Sequence, residues 1–324
     1  MCTALNFITN DHYFGRNLDL DFSYGEEVCI MPRNFPLYYR KMKPQMNHYA
    51  IIGMAVMVGN EPLFYDAANE YGLAMAGLDF PENAHYEKEK EGKDNVCQFE
   101  FIPYILGNCK SINEALKLLE NINLIDMPYS DEFPVSPLHF IISDKNDSIV
   151  IEPMKNGLNI YKNPVGVLTN NPPFDYQFFN LNNYRNLKIT NGENTFLEDL
   201  ELNEYCQGLG SLGLPGDVSS MSRFIRAVFN KEKSVCEKGE KSSVSQFFHI
   251  LNSVGVIKGV CKKHSGRFGI TVYSSCINTD KGRYYYTTYN NQQISCVDMH
   301  KTNLESNKIT HYPLELELNI NYQN

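Results

Sequence analysis

Strand-like and helix-like segments come in blocks along this 324-residue chain instead of alternating one for one, and that order restricts the fold more than any other feature. Residues 3–9 alternate in polarity, Asn10-Asp11 supplies a tight turn, and residues 12–18 run back, which predicts an amino-terminal hairpin. Further strands are expected over 27–32, 49–58 and 71–78. Two helices follow. The second opens on Ser111-Ile112-Asn113-Glu114, a capping box, and carries Ala115, Leu118 and Leu119 at helical spacing. Strands resume over 138–143, 148–152, 158–161 and 165–169, with a helix around 177–187. Beyond a glycine-rich loop, 219–229 and 244–253 read as helices, then 269–275, 283–289 and 293–299 as strands. Such blocks describe a layered α+β protein with antiparallel sheets, not a βαβ parallel fold. No repeat, low-complexity tract or linker interrupts the pattern, so residues 1–324 are expected to form one domain.

Composition removes several classes of function. The chain is 43% hydrophobic and 21% charged, ordinary for a soluble globular protein. A net charge of −9 and a pI near 5.4 argue against a nucleic-acid partner, which needs clustered Lys and Arg. The lysine-rich stretches 87–93 and 231–241 alternate sign with glutamate and read as solvated loops. No apolar run reaches the roughly 18 residues of a membrane span. The longest, 50–59, suits a buried strand. The amino terminus lacks the basic and apolar regions of a signal peptide. Nine cysteines without a CxxC pair form neither a zinc site nor a disulfide framework. Cys29, Cys97, Cys109, Cys206, Cys236, Cys261, Cys276 and Cys296 read as small core residues of a reduced, cytoplasmic protein.

Two patterns carry little. Gly208 to Gly213 matches GxGxxG literally, but no strand precedes it and Pro215 stops a helix from opening, so a structural loop is expected. The histidines at 12, 48, 85, 139, 249, 264, 300 and 311 show no metal-ligand spacing and read as ordinary surface or core residues. A serine nucleophile elbow, GxSxG, is absent.

The amino terminus is different. Met1 is followed by Cys2, Thr3 and Ala4, and initiator Met is commonly trimmed before a small residue. A mature chain beginning with Cys2 carries a nucleophilic thiol and, in its own α-amino group, a proton acceptor with a reference pKa of about 7.7–8.0. No histidine is then required. The expected hairpin brings Arg16 and Asp19 close to Cys2. A guanidinium beside a thiol favours thiolate, and a carboxylate can orient the amine. Taken alone, the same residues also read as a surface ion pair.

Further motifs extend this pattern along the chain: Tyr13-Phe14-Gly15-Arg16-Asn17-Leu18-Asp19, Asn69-Glu70-Tyr71-Gly72-Leu73, Gly77-Leu78-Asp79-Phe80, Gly166-Val167-Leu168-Thr169-Asn170, Leu212-Gly213-Leu214-Pro215-Gly216-Asp217 and Ser222-Arg223-Phe224-Ile225-Arg226. Together they resemble the choloylglycine hydrolases, the family of bile salt hydrolases and penicillin V acylases. The resemblance implies an amino-terminal nucleophile hydrolase fold, four layers in αββα order with two antiparallel sheets, assembled as a homotetramer. It implies cleavage of a linear amide without metal or organic cofactor. Carried over by position, Cys2 is the nucleophile, Arg16 and Asp19 tune and orient it, Asp79 and Asn170 belong to the oxyanion site, and Arg223 holds the polar network. Leu18, Tyr24, Phe64, Tyr129 and Phe133 are expected to line the acyl pocket, the two tyrosines offering hydroxyls to the substrate.

Asp79 departs from the Asn usual in bile salt hydrolases and from the Tyr frequent in penicillin V acylases. The chain also lacks tryptophan. At Ile102-Pro103-Tyr104 and Leu138-His139-Phe140, where the family often has Trp, the exchanges read as packing only. Hydrolysis of glycine- or taurine-conjugated bile salts is the leading expectation. Acylase action on penicillin V or N-acyl homoserine lactones is the alternative, and a non-catalytic bile-salt binder the third.

Overall fold

A computed structural model describes every residue except Glu198 and His264. The chain opens with the expected hairpin, β1 (Cys2–Ile8) and β2 (His12–Leu20), in register Cys2 to Leu18 and Ala4 to Arg16. A meander follows: β3 (Glu26–Met31), β4 (Ile51–Val58), β5 (Glu61–Asn69) and β6 (Ala74–Asp79). Then come β7 (Asp94–Cys97), helices α1 (Phe101–Asn108) and α2 (Ile112–Leu119), and β8 (Ile122–Ile125). Strands β9 (Leu138–Ser143), β10 (Ser148–Met154), β11 (Gly157–Lys162) and the two-residue β12 (Val167–Leu168) precede α3 (Phe174–Asn180). The last third holds α4 (Ser220–Lys233), α5 (Glu240–Asn252), β13 (Ile270–Asn278), β14 (Arg283–Thr288), β15 (Ser295–Asp298) and β16 (Thr310–Pro313).

Two antiparallel sheets face one another. One has the order β12-β1-β2-β13-β14-β15, the other β11-β10-β9-β6-β5-β4-β3-β16. Helices α4 and α5 cover the outer face of the first, and α1 covers the second. The outcome is the expected αββα stack. Because each sheet is covered on both faces, strands such as β1, β2 and β4 are buried almost throughout, and their sequences run apolar instead of alternating cleanly.

Alternation still decides which side chain goes where. Arg16 reaches the Gly77 carbonyl in the opposite sheet, so Cys2, Ala4, Arg16 and Leu18 point between the sheets. Thr3, Asn17 and Asp19 point the other way, toward α4 and α5: Thr3 accepts from Arg223 and Asn17 donates to the Leu251 carbonyl.

Several expectations are corrected. Strand β5 was not expected, because Pro62 and the buried Asp66 interrupt its apolar character. The strand expected from residue 71 starts at Ala74, after a turn in which Gly72 has a φ of 89°. The helix expected over 177–187 begins earlier, at Phe174, and tightens into a 3₁₀ turn at Leu181–Tyr184. The small parallel pair of β7 with β8 and the edge strand β16 carried no signal beyond their short length. The capping box forms with a shift: Ser111 accepts from the Glu114 N–H at 3.4 Å, while Glu114 reaches back to the Lys110 N–H. Cys206 and Cys296 are exposed, not core, and Cys236 and Cys261 are partly so. The 208–213 segment is a 3₁₀ turn between left-handed Gly208 and Gly213, with no strand before it. No described helix is long and apolar enough to cross a membrane.

Gly15 marks the closest approach of β2 to β13. A Cβ there would lie 2.0 Å from the Ser275 carbonyl oxygen, a backbone atom that cannot swing aside. Gly15→Ala is therefore expected to destabilise the fold by about 3 kcal/mol, read as a lowered denaturation midpoint with an unchanged slope.

Candidate active site

The site forms where the two sheets fail to match. Between β4 and β5 the register shifts at Tyr65, leaving one extra residue in β5. Such a bulge bends its strand. The β5–β6 ladder accordingly stops at Asp66 opposite Ala76. Into the split comes Arg16 from the other sheet, donating to the carbonyls of Tyr65 (3.0 Å) and Gly77.

Arg16 is wholly buried. Burial alone would push its pKa down, but the Cys2 sulfur, Tyr273 and Asp66 outweigh that, and it is raised. Asp66 is itself enclosed by the hydroxyls of Tyr273 (2.6 Å), Tyr284 (2.6 Å) and Ser275 (3.0 Å). Desolvation raises its pKa, and Arg16 opposes the rise.

On the helix side of β1, Arg223 of α4 makes four bonds. Its Nη1 donates to the Cys2 carbonyl and to Thr3 Oγ1, its Nη2 to Asn170 Oδ1 at 2.7 Å, and its Nε to the Val218 carbonyl. Asp19 lies 3.9 Å from the same guanidinium. Thr271 donates to Asp19 Oδ1 at 2.6 Å, and Asp19 Oδ2 has no partner among the described residues. Burial raises the Asp19 pKa while Arg223 and Thr271 hold it down.

Asn170 follows β12 and bridges the two sheets. Its Oδ1 accepts from the Cys2 N–H at 2.7 Å, and its Nδ2 donates to the Asp79 carbonyl at 2.7 Å. Asp79 stands opposite Leu138, while the next residue, Phe80, donates its N–H to Pro137. By the alternation of antiparallel ladders, Asp79 is the non-hydrogen-bonded position, so its N–H and C=O both turn away from β9. Its C=O meets Asn170, and its N–H therefore points to the same side. Any donor that residue 79 offers toward Cys2 is a backbone group, which an Asn-to-Asp exchange does not alter.

Cys2, Arg16 and Asp79 border a cavity of about 340 Å³. Leu18, Tyr24, Phe64, Tyr129 and Phe133 all line it. Tyr24 and Phe133 stand 6.2 Å apart, and Phe133 and Tyr129 6.3 Å, as an aromatic rim. The Tyr129 hydroxyl donates to Glu61 at 2.9 Å, and Arg40 lies over its ring. Ile102, Leu138 and Phe140 also form wall, so segments read as mere packing contribute to the site. His139 is a core histidine, buried in a polar network behind Asn170; His264 lies outside the described residues. Thr271, Ser220 and Gln177 were missed as well, since a lone polar residue in a helix or strand has no local signature.

Residues 2–312 match the family of linear amide C–N hydrolases called the choloylglycine hydrolase family. The chain belongs to that family. It is 50% identical over 317 residues to a bile salt hydrolase/transferase from Lactiplantibacillus plantarum, covering 98% of both chains. It also superimposes on a mutant conjugated bile acid hydrolase from Clostridium perfringens with a TM-score of 0.93, 40% identity and full coverage of both chains. A penicillin V acylase from Agrobacterium tumefaciens shares the fold, with a TM-score of 0.77 at 20% identity, covering 96% of this chain and 90% of the other. The protein is therefore an amide hydrolase built on the amino-terminal nucleophile fold.

Removing Arg223 would leave Asp19 buried without its cation. Arg223→Met is expected to cost about 3–5 kcal/mol at neutral pH. With its cation gone, Asp19 binds a proton more tightly folded than unfolded, so the deficit shrinks as pH falls through the raised pKa toward the unfolded value near 3.9. Denaturation of the variant and of Arg223→Met with Asp19→Asn, each at two pH values, checks both the size and the sign.

Proposed function

We propose that the protein hydrolyses glycine- or taurine-conjugated bile salts, with Cys2 as nucleophile once Met1 has been removed. The observation that carries this reading is the cavity: an apolar, aromatic chamber that ends on Cys2 and Arg16 and suits a rigid apolar acyl group with a polar tail. The relatives named above as bile salt and conjugated bile acid hydrolases support the same substrate class.

With Met1 present, its amine donates to the Asp19 carbonyl and its carbonyl accepts the Asp19 N–H, so it merely extends β1 by one pair. Loss of Met1 turns the Cys2 nitrogen into the terminal amine, beside Asn170 Oδ1 and within the surroundings of Asp19. Burial already lowers the pKa of the amine on Met1. The Cys2 nitrogen lies one residue deeper and meets the same penalty, which favours the neutral, proton-accepting form at neutral pH. In the reaction the thiol attacks the amide carbonyl and gives its proton to this amine. Arg16 favours the thiolate. The second Nδ2 hydrogen of Asn170 and the Asp79 N–H donate to the oxyanion. The amine product departs with the proton, leaving a thioester on Cys2, and water releases the acid by the reverse sequence. Arg223 holds Asn170 and the Cys2 carbonyl in place throughout.

Assembly as a homotetramer in the cytoplasm forms part of this proposal. Support comes from the segment around residues 189–212, which exposes the large apolar side chains of Ile189, Phe196, Tyr205 and Leu212. Sedimentation of the purified chain reads its mass directly.

Three outcomes are expected. Glycocholate and taurocholate are turned over with kcat/KM far above penicillin V, and Cys2→Ala loses turnover; a preference for penicillin V would move the protein to the acylases. Intact mass of active enzyme shows loss of one Met, and the acid limb of kcat/KM has its midpoint below about 8, because a depressed amine stays neutral to lower pH. Asp79→Asn leaves kcat within about threefold, whereas loss of an oxyanion donor costs about 10²–10³.

A further inference from the structure

We propose that His139, held by Glu152, is a positioning residue that sets the spacing between the two oxyanion donors. The proposal rests on the reading of Asn170 and the Asp79 N–H as those donors. His139 sits on β9 of the second sheet and Glu152 on the neighbouring β10; neither is exposed at all. The imidazole touches the flanks of both donors. Its ring stacks on Phe80, the residue after Asp79, with centroids 4.2 Å apart and planes 7° from parallel. Its Nε2 stands 2.9 Å from the carbonyl oxygen of Thr169, the residue before Asn170.

The proton positions follow from the partners. A carbonyl only accepts, so Nε2 carries a hydrogen. Nδ1 faces Glu152 Oε1 at 3.0 Å, and that oxygen also accepts the Phe174 N–H at 3.0 Å. One further proton is shared between Nδ1 and Oε1, and the pair is neutral as a unit. Glu152 thereby locks the tautomer that presents Nε2–H to Thr169, and it ties the first turn of α3 to the same point. Glu152 Oε2 has no hydrogen-bond partner among the described residues, so the carboxylate acts through Oε1, on His139 and the Phe174 N–H.

Strand pairing does little for the segment being positioned, because β12 is only two residues long and ends before Thr169. Asn170 is held by side chains instead. Its N–H goes to Ser220 Oγ at 2.8 Å and its C=O receives Gln177 Nε2. Across to the end of β6 the loop is tied by Asn170 Nδ2 to the Asp79 carbonyl and by Asn171 Nδ2 to the Pro81 carbonyl, both at 2.7 Å, and His139 braces that link from behind through Thr169 and Phe80. Losing the brace lets the two donors shift about this link, which changes the oxyanion site without touching the thiol.

The test separates those two effects in the Met-trimmed enzyme. His139→Phe keeps the stack on Phe80 and removes both ring nitrogens, hence the Nε2–H to Thr169 and the Nδ1 contact to Glu152. Acylation by glycocholate, followed as the burst of released glycine, is expected to slow at least about thirtyfold per active site, with KM within about twofold. Alkylation of Cys2 by iodoacetamide, which needs thiolate but no oxyanion site, is expected to keep its rate. Glu152→Gln, whose amide cannot at one atom both accept the Phe174 N–H and donate to Nδ1, is expected to fall between the two; it carries the test alone if His139→Phe does not fold. Equal loss of alkylation and acylation, or acylation within about threefold of the parent, would overturn the proposal. Asn170→Ala serves as the control. If it too acylates normally, the reading of the oxyanion donors has failed; if it is slow while His139→Phe is not, only the positioning role has failed.

Discussion

A guanidinium buried between two sheets is the constraint on which the rest of this structure depends. Arg16 is wholly buried, and an isolated charge in such a place would be prohibitively unstable. Three devices compensate: two carbonyls from a split in the facing sheet, the sulfur of Cys2, and the enclosed carboxylate of Asp66. Each leaves a mark on the fold. Two donated carbonyls require that β5 and β6 part, hence the bulge at Tyr65. The parted strands leave the cavity that the aromatic rim encloses. The carboxylate in turn needs donors, which Tyr273, Tyr284 and Ser275 supply from the first sheet. Substrate space and nucleophile activation therefore come from one electrostatic compromise.

Much of the layout was legible because hairpins and helix caps are local. The turn at Asn10-Asp11 and the register it sets follow from a few adjacent residues, and so does the placement of Cys2 opposite Leu18. Strand β5 was illegible for a physical reason: it carries Asp66, a polar residue whose burial is compensated by Arg16 of the other sheet and by hydroxyls of Tyr273, Ser275 and Tyr284, all distant in sequence. The shift of α3 toward Phe174 has a similar origin, since Glu152 accepts the Phe174 N–H from another strand. Local propensity has no access to either partner.

The site divides along the same line. Cys2, Arg16 and Asp19 were readable because a hairpin brings them together, and the remaining candidate positions came through resemblance. The groups that brace them were not readable. Thr271, Ser220, Gln177 and the pair His139 with Glu152 each look ordinary in sequence, and their meaning lies in which backbone atom they meet.

The two buried arginines also explain why a nucleophile at the very start of a strand can be held firmly. Chain termini ordinarily fray, because few contacts tie them down. Here the Cys2 carbonyl is gripped by Arg223, its N–H by Asn170, and Asn170 by Arg223 again, a closed triangle on one side of β1. Arg16 closes the opposite side through the sulfur. The triangle contains no contact to Met1, whose only backbone partner is Asp19. Trimming Met1 therefore removes one pair from the end of the ladder and leaves the catalytic residue with every other restraint intact. A free amine and a fixed nucleophile are compatible because the restraints act on the atoms of Cys2 that survive the cut.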